Sequence, residues 1–286
     1  MTEVPEPRKP DVWDERVAGF LSAVRQRLTG DYEVDEFGFD KHLTDNVFLP
    51  ALKPLYKTWF RTEVTGVENL PTEGGALVVA NHSGTVAIDA VMLAVAVREE
   101  TERYLRLLGA DLVFRMPGLS ELARKSGATL ACAPDAERLM RTGHLIGVFP
   151  EGFKGVGKPF SERYRLQRFG RGGFVSAALR TGVPIIPVSI VGAEEAYPMI
   201  GNVPSLARLL GLPYFPITPT FPWLGPLGLV PLPSKWLIEF GKPIETASIE
   251  GDADDPMVIF NLADQVRETI QQTLYELLER RPDPFS

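Results

Sequence analysis

The sequence predicts an α/β protein: a single domain with a largely parallel or mixed sheet covered by helices on both faces, an N-terminal helical region and a C-terminal amphipathic helix. Three observations carry this reading. Between about residues 76 and 191, short apolar runs bounded by turn residues alternate with stretches of helical periodicity. Those runs are apolar at nearly every residue rather than at every second one, the pattern of strands buried on both faces. An apolar content of 44% with 23% charged residues over 286 positions gives a chain able to bury a sizeable core.

Residues 1–11 are polar and proline-rich and read as a loose leader. Trp13, Val17, Phe20, Leu21, Val24 and Leu28 recur at helical spacing, and Gly30 ends the pattern. Asp40 to Phe60 is helical and aromatic, and Pro50 and Pro54 predict a kink or a split. Arg61 to Val67 alternates weakly before a turn at Asn69-Leu70-Pro71, and Ala76 to Ala80 is a buried strand. Helices follow at Asp89 to Val97, Leu119 to Ser126, Asp135 to Thr142 and Phe174 to Thr181. Between and after them, strands are predicted at Leu105 to Leu108, Thr129 to Cys132, Leu145 to Phe149 and Val183 to Val191. A late strand, Trp236 to Phe240, precedes the closing helix, which opens at Pro256 behind Asp254 and Asp255. Its apolar stripe is Ile259, Leu262, Val266, Ile270, Leu274 and Leu277.

Composition excludes several function classes. A net charge of −7 provides no global footprint for nucleic acid. The lone cysteine, Cys132, rules out an internal disulfide framework and a cysteine-rich zinc site, and no metal ligands are predicted. The first residues lack the basic and apolar regions of a signal peptide, and no apolar run reaches the roughly 18 residues of a spanning helix. A cytoplasmic location is expected.

Two stretches carry chemistry. Asn81-His82-Ser83-Gly84-Thr85 follows the first buried strand, and Asp89 opens the next helix. The carboxyl end of a parallel strand is where open α/β sheets place ligands. An imidazole with a carboxylate on its second ring nitrogen has a fixed tautomer and can take a proton from an alcohol. A helix running from 82 to 89 would hold the two side chains roughly 10 Å apart. The chain must therefore turn first, and Ser83, Gly84 and Thr85 are suited to that turn. The second stretch, Phe149-Pro150-Glu151-Gly152, again puts a carboxylate after a buried strand. Gly152 and Gly157-Lys158 nearly complete a P-loop, but Pro159 has neither the hydroxyl for magnesium nor an N–H for phosphate, which excludes nucleotide hydrolysis. Lys154, Lys158, Arg163, Arg165, Arg168 and Arg171 outnumber the acids nearby and point to a phosphate-bearing ligand or lipid headgroup. Residues 213–233, rich in proline and aromatics and free of charge, suit either a membrane interface or a lid over an apolar pocket.

Asn81-His82…Asp89, Phe149-Pro150-Glu151-Gly152 and the strand Val183-Pro184-Ile185-Ile186-Pro187-Val188, in this order, resemble the motifs of the glycerolipid or lysophospholipid acyltransferase family. The resemblance covers roughly residues 60 to 245. It implies transfer of a fatty acyl group from acyl-CoA, as co-substrate and without a cofactor, to a lipid hydroxyl, with His82 as general base and Asp89 orienting it. It further implies acceptor binding by Glu151 and Gly152; Asn81, Ser83, Gly84 and Thr85 around the histidine, and Lys154, Lys158 and Arg171 of the basic patch, are the other expected substrate contacts. The expected organisation is a leader with helices over 1–60 packed on an acyltransferase domain over 61–286. The expected partners are acyl-CoA, a lipid acceptor and a membrane surface to which the chain binds peripherally, and not nucleic acid. Six residues separate His82 from Asp89 where the family pattern has four, the four-residue position being Ala87; this spacing resembles the monoacylglycerol and diacylglycerol acyltransferase branch. The family's phosphate-reading arginine falls on Ala133, and its Thr-Arg after Glu-Gly is Phe153-Lys154. A non-catalytic lipid-binding or membrane-adaptor protein of the same fold is the alternative.

Overall fold

The computed structural model describes residues 32–286 apart from 117, 171, 250, 251 and 282, together with 18, 19, 21, 22 and 25. The leader, the Trp13, Val17, Phe20, Val24 and Leu28 positions of the first expected helix, and Arg171 lie outside the described residues. Seven strands stand side by side in the order β1 (Glu63–Thr65), β9 (Leu237–Phe240), β6 (Ile185–Val191), β2 (Ala76–Ala80), β5 (Leu145–Val148), β3 (Leu105–Gly109) and β4 (Thr129–Leu130). From β6 to β4 all neighbours are parallel. β9 joins β6 antiparallel, and β1 pairs parallel with β9, so the sheet is mixed.

The uninterrupted apolar runs behave as expected of strands covered on both faces: every residue of β2 and β6 is buried. Ala76, Val78 and Ala80 enter one core, Leu77 and Val79 the other. The first core is closed by α2 (Ile88–Glu100) and by Tyr56 and Phe60 from the N-terminal helical region. The second is closed by α5 (Ala133–Arg141), α7 (Gly173–Thr181) and α10 (Pro256–Arg280). Asp255 caps α10 by accepting the Met257 N–H at 2.8 Å, and Leu262, Val266, Ile270, Leu274 and Leu277 are buried along its length. Each such burial contributes about 1.5–3 kcal/mol.

Of the kink or split expected over 40–60, the split does not occur, but the helix is irregular. Residues 41–59 form one continuous helical run, α1, in which the α-helical segments Lys41–Leu43 and Leu49–Pro54 are each followed by a π-helical turn, Thr44–Phe48 and Leu55–Trp59. Pro50 and Pro54 have no N–H to donate, and their rings crowd the carbonyl one turn back. The wider turn before Pro50 relieves its crowding, with the Leu49 N–H bonded to the Thr44 carbonyl; the second follows Pro54, with the Phe60 N–H bonded to the Leu55 carbonyl at 2.9 Å. The helices α3 (Asp111–Arg115), α4 (Leu119–Lys125), α6 (Phe153–Val156), α8 (Ala193–Ala196) and α9 (Pro204–Leu210) are the remaining α-helices among the described residues from 32 onward; of these only α4 was predicted, α3, α6 and α8 being too short to show a period. Between β6 and β9 the chain builds a lobe containing α8, α9 and a ribbon of β7 (Gly201–Asn202) with β8 (Pro216–Ile217). No helix among the described residues is long and apolar enough to cross a membrane.

Candidate active site

β2 delivers its carboxyl end into a clamp. The Asn81 side chain donates to the Ile190 carbonyl at 3.0 Å and accepts the Ile190 N–H at 2.7 Å, tying β2 to β6. The turn that follows is the one the His82–Asp89 separation requires. Gly84 and Thr85 both have positive φ, +89° and +63°. A Cβ on Gly84 would stand 2.6 Å from the Ala193 carbonyl oxygen, so only glycine fits. Thr85 is held in its strained conformation from three sides. Its hydroxyl donates to the Tyr197 carbonyl at 2.7 Å, its N–H to the Val156 carbonyl at 3.1 Å, and its carbonyl accepts the Tyr214 hydroxyl at 2.6 Å.

The turn brings the first residues of α2 back under the histidine. Asp89 Oδ2 lies 2.8 Å from His82 Nδ1 and accepts the Ser83 N–H at 2.8 Å, while Oδ1 accepts the Ala90 N–H at 2.9 Å. Asp89 is fully buried, and the His82 side chain keeps 12% of its surface exposed. The Phe149 ring lies 4.5 Å from the imidazole, centroid to centroid, and fixes its plane from the neighbouring strand end. With Nδ1 engaged, Nε2 is the nitrogen left for a substrate. This arrangement can accept a proton and stabilise the resulting imidazolium.

Glu151 is buried beneath the same histidine. One carboxylate oxygen accepts the His82 backbone N–H at 2.8 Å, and the other accepts the Gln167 N–H at 2.6 Å. Burial pushes its carboxyl above the ordinary range, opposed chiefly by the Lys158 ammonium at 3.9 Å. Gly152 is exposed, and the short α6 that it opens presses on the dyad: a Cβ on Gly155 would lie 2.7 Å from the His82 carbonyl oxygen.

The structure sorts the other expected substrate contacts. Lys154 is exposed beside α6. Arg163, Arg165 and Arg168 face solvent while Tyr164, Leu166 and Phe169 between them face inward, which leaves an exposed basic ridge. Lys158, expected on that patch, is not on it: its side chain is 2% exposed and its ammonium lies 2.9 Å from Glu194. Asn81 and Thr85 have their side-chain polar atoms bound to the protein's own backbone, and Ser83 is buried, so none of the three offers a free polar side chain at the surface. Sequence reasoning quoted Phe149 only as part of its motif, and did not find Gln167, Tyr164, Glu194, Glu195 and Arg281. The one signal for them was Glu194-Glu195, two adjacent acids between apolar residues at the end of a buried strand. The lobe reaches the site through Tyr214, whose ring would collide with a Cβ on Gly157, and it leaves Trp223, Leu224 and Leu227 at 69%, 56% and 70% exposure.

Comparisons with known proteins agree with this geometry. Residues 61–191, which contain both motif stretches, match the family described as Acyltransferase. An uncharacterized protein of Mycobacterium tuberculosis is 64% identical over 272 residues, covering 94% of this chain and 75% of that protein. The human DGAT1/2-independent enzyme synthesizing storage lipids is 27% identical over 163 residues, 57% of this chain and 50% of that protein. The crystal structure of the 1-acyl-sn-glycerophosphate acyltransferase PlsC from Thermotoga maritima superposes with a TM-score of 0.58 at 18% identity, over 95% of this chain and 94% of that one, and so shares the fold. By its motifs and the family match, the chain carries an acyltransferase-family domain over residues 61–191.

Proposed function

We propose that this protein moves a fatty acyl group from acyl-CoA to a hydroxyl of a glycerolipid, with His82 as the general base. Nε2 takes the acceptor's hydroxyl proton as the oxygen attacks the thioester carbonyl. The tetrahedral intermediate expels the CoA sulfur, which takes the proton back from the imidazolium, giving an acylated acceptor and free CoA. Asp89 keeps the proton on Nδ1 in the resting ring and offsets the transient positive charge. The observation that carries this reading is the 2.8 Å contact between a fully buried aspartate and a histidine that remains accessible. A lipid-binding adaptor would have no use for that pair.

The acceptor is a neutral glyceride or a lysophospholipid. Ala133 in the place of the family's phosphate-reading arginine favours the neutral class, as does the name of the human relative, a storage-lipid enzyme. Lys154 and the Arg163–Arg165–Arg168 ridge are the groups we assign to phosphates, whether of CoA or of a headgroup. Trp223, Leu224 and Leu227 are assigned to a bilayer surface beside the site, where a lipid acceptor is found. The test is incubation with labelled acyl-CoA and a panel of monoacylglycerol, diacylglycerol and lysophospholipid acceptors. Labelled acylated acceptor is the expected product; free fatty acid alone would indicate a hydrolase, and no turnover with retained lipid binding an adaptor.

A further inference from the structure

Five charged side chains are buried between the catalytic turn and the end of the last helix, and the transfer reaction needs none of their charges directly. Glu151, Glu194, Glu195, Lys158 and Arg281 are each less than a tenth exposed. Placing so many charges in an interior is costly, and such ion pairs add little or nothing to stability over apolar packing. Their arrangement has a direction. Lys158 Nζ sits 2.9 Å from Glu194, 3.3 Å from the Arg165 carbonyl and 3.9 Å from Glu151. Glu194 also accepts the Tyr164 N–H at 3.2 Å. Glu195 accepts the Tyr164 hydroxyl and pairs with Arg281 at 2.8 Å, just beyond α10. The chain of contacts therefore runs from the last helix to the backbone of the histidine.

We propose that Lys158 is a positioning residue for His82: seated between Glu194 and Glu151, it keeps the Glu151 carboxylate charged, so that both its oxygens can accept, one of them the His82 backbone N–H. The chemistry of the carboxyl group makes that charge necessary. An ionised carboxylate accepts on both oxygens, whereas a neutral acid turns a hydroxyl hydrogen outward from one of them. Glu151 must accept from His82 with one oxygen and from Gln167 with the other. A protonated Glu151 would lose one of these bonds. Burial favours that protonation, and Lys158 is the principal group opposing it. The site has no slack to absorb the change, because Gly155 already packs on His82 as closely as a residue without a side chain can.

The inference rests on His82 being the base, but it can be tested separately from that reading. The variants are K158M and K158M/E194Q, assayed at pH 8. Three quantities are measured: thermal midpoint, hydrogen exchange of the His82 amide, and kcat and KM with acyl-CoA. In K158M, Glu194 loses its cation, the midpoint falls, kcat drops about tenfold or more, and the His82 amide exchanges at least about tenfold faster. In the double variant the stranded acid is gone and the midpoint recovers towards wild type, but Glu151 still has no cation. Low kcat and fast exchange are therefore expected to persist there, with KM for acyl-CoA within about twofold of wild type. Recovery of kcat and amide protection together with the midpoint would overturn the proposal, by showing that Lys158 only neutralises Glu194. A raised KM with unchanged kcat would overturn it in favour of a phosphate contact. Should K158M fail to fold, the double variant decides alone; should both fail, E151Q, a neutral isostere whose single acceptor oxygen must be shared between the His82 and Gln167 N–H groups, must show the faster exchange. An H82A protein that kept its activity would refute the base assignment, while the amide exchange would still judge Lys158.

Discussion

Asp89 accepts three hydrogen bonds, two on the oxygen facing His82 and one on the other. An asparagine can retain the first two by turning its amide nitrogen towards the Ala90 N–H. D89N should therefore hold the imidazole in place while losing the negative charge and the Ala90 bond, whereas D89A also loses the hold on the imidazole. In the acyl-transfer assay D89A is expected to fall by about 10²-fold or more and D89N by less; equal losses would show that charge, not orientation, is what Asp89 supplies. Glu194 leads to a second prediction at this scale. Burial pushes it up to about 7 from an ordinary 4.5, against the pull of Lys158 and the Tyr164 N–H and helped by the Glu151 charge. The folded protein thus holds this proton more tightly than the unfolded chain does. That contribution to stability is complete below about pH 4.5 and is lost as pH rises through about 7. E194Q cannot titrate, so between pH 5 and pH 8 its urea midpoint should fall less than that of wild type; an equal or steeper fall would contradict the assignment. The histidine, its aspartate and the turn between them were legible in the sequence because all three lie within eight consecutive positions. The tasks of Asn81 and Lys158 were not, because their partners Ile190 and Glu194 are distant in sequence, and a lysine in a basic stretch looks the same whether it faces water or an acid.

At the scale of elements, the strands of the seven-stranded sheet and the long helices were predicted to within about three residues, since burial on both faces and a 3.6-residue period mark them strongly. α1 was misjudged. Two prolines four residues apart break an ideal ladder, but the π turns that accommodate them leave no trace in composition. The lobe between β6 and β9 was legible only as an uncharged, proline-rich stretch. In the structure Tyr214 packs against the turn after β2, while Trp223, Leu224 and Leu227 stand in solvent. Exposed side chains contribute little to folding. W223S/L224S/L227S should leave the thermal midpoint within about 2 °C of wild type and reduce co-sedimentation with phosphatidylglycerol vesicles severalfold. A large fall in the midpoint with undiminished sedimentation would assign these residues to the core.

For the molecule as a whole, the mixed sheet brings the ends of three parallel neighbours, β2, β5 and β6, to one place. They contribute the base, the buried glutamate and the acidic pair respectively. The loops after them touch one another directly: the catalytic turn meets α6 through Thr85 and Val156, and the lobe through Thr85 and Tyr197. The carboxyl end of the sheet was identified from sequence as the place of chemistry, but the interlocking of the three loops was not, because it depends on strand order. In the proposed reaction, this assembly makes one nitrogen, His82 Nε2, a base. The most direct measurement is single-turnover transfer from labelled acyl-CoA to the best acceptor by wild type and by H82A, with thermal midpoints confirming that both are folded. The expected result is a loss of about 10²- to 10⁴-fold in H82A at an unchanged midpoint; a folded H82A protein turning over at close to the wild-type rate would contradict it.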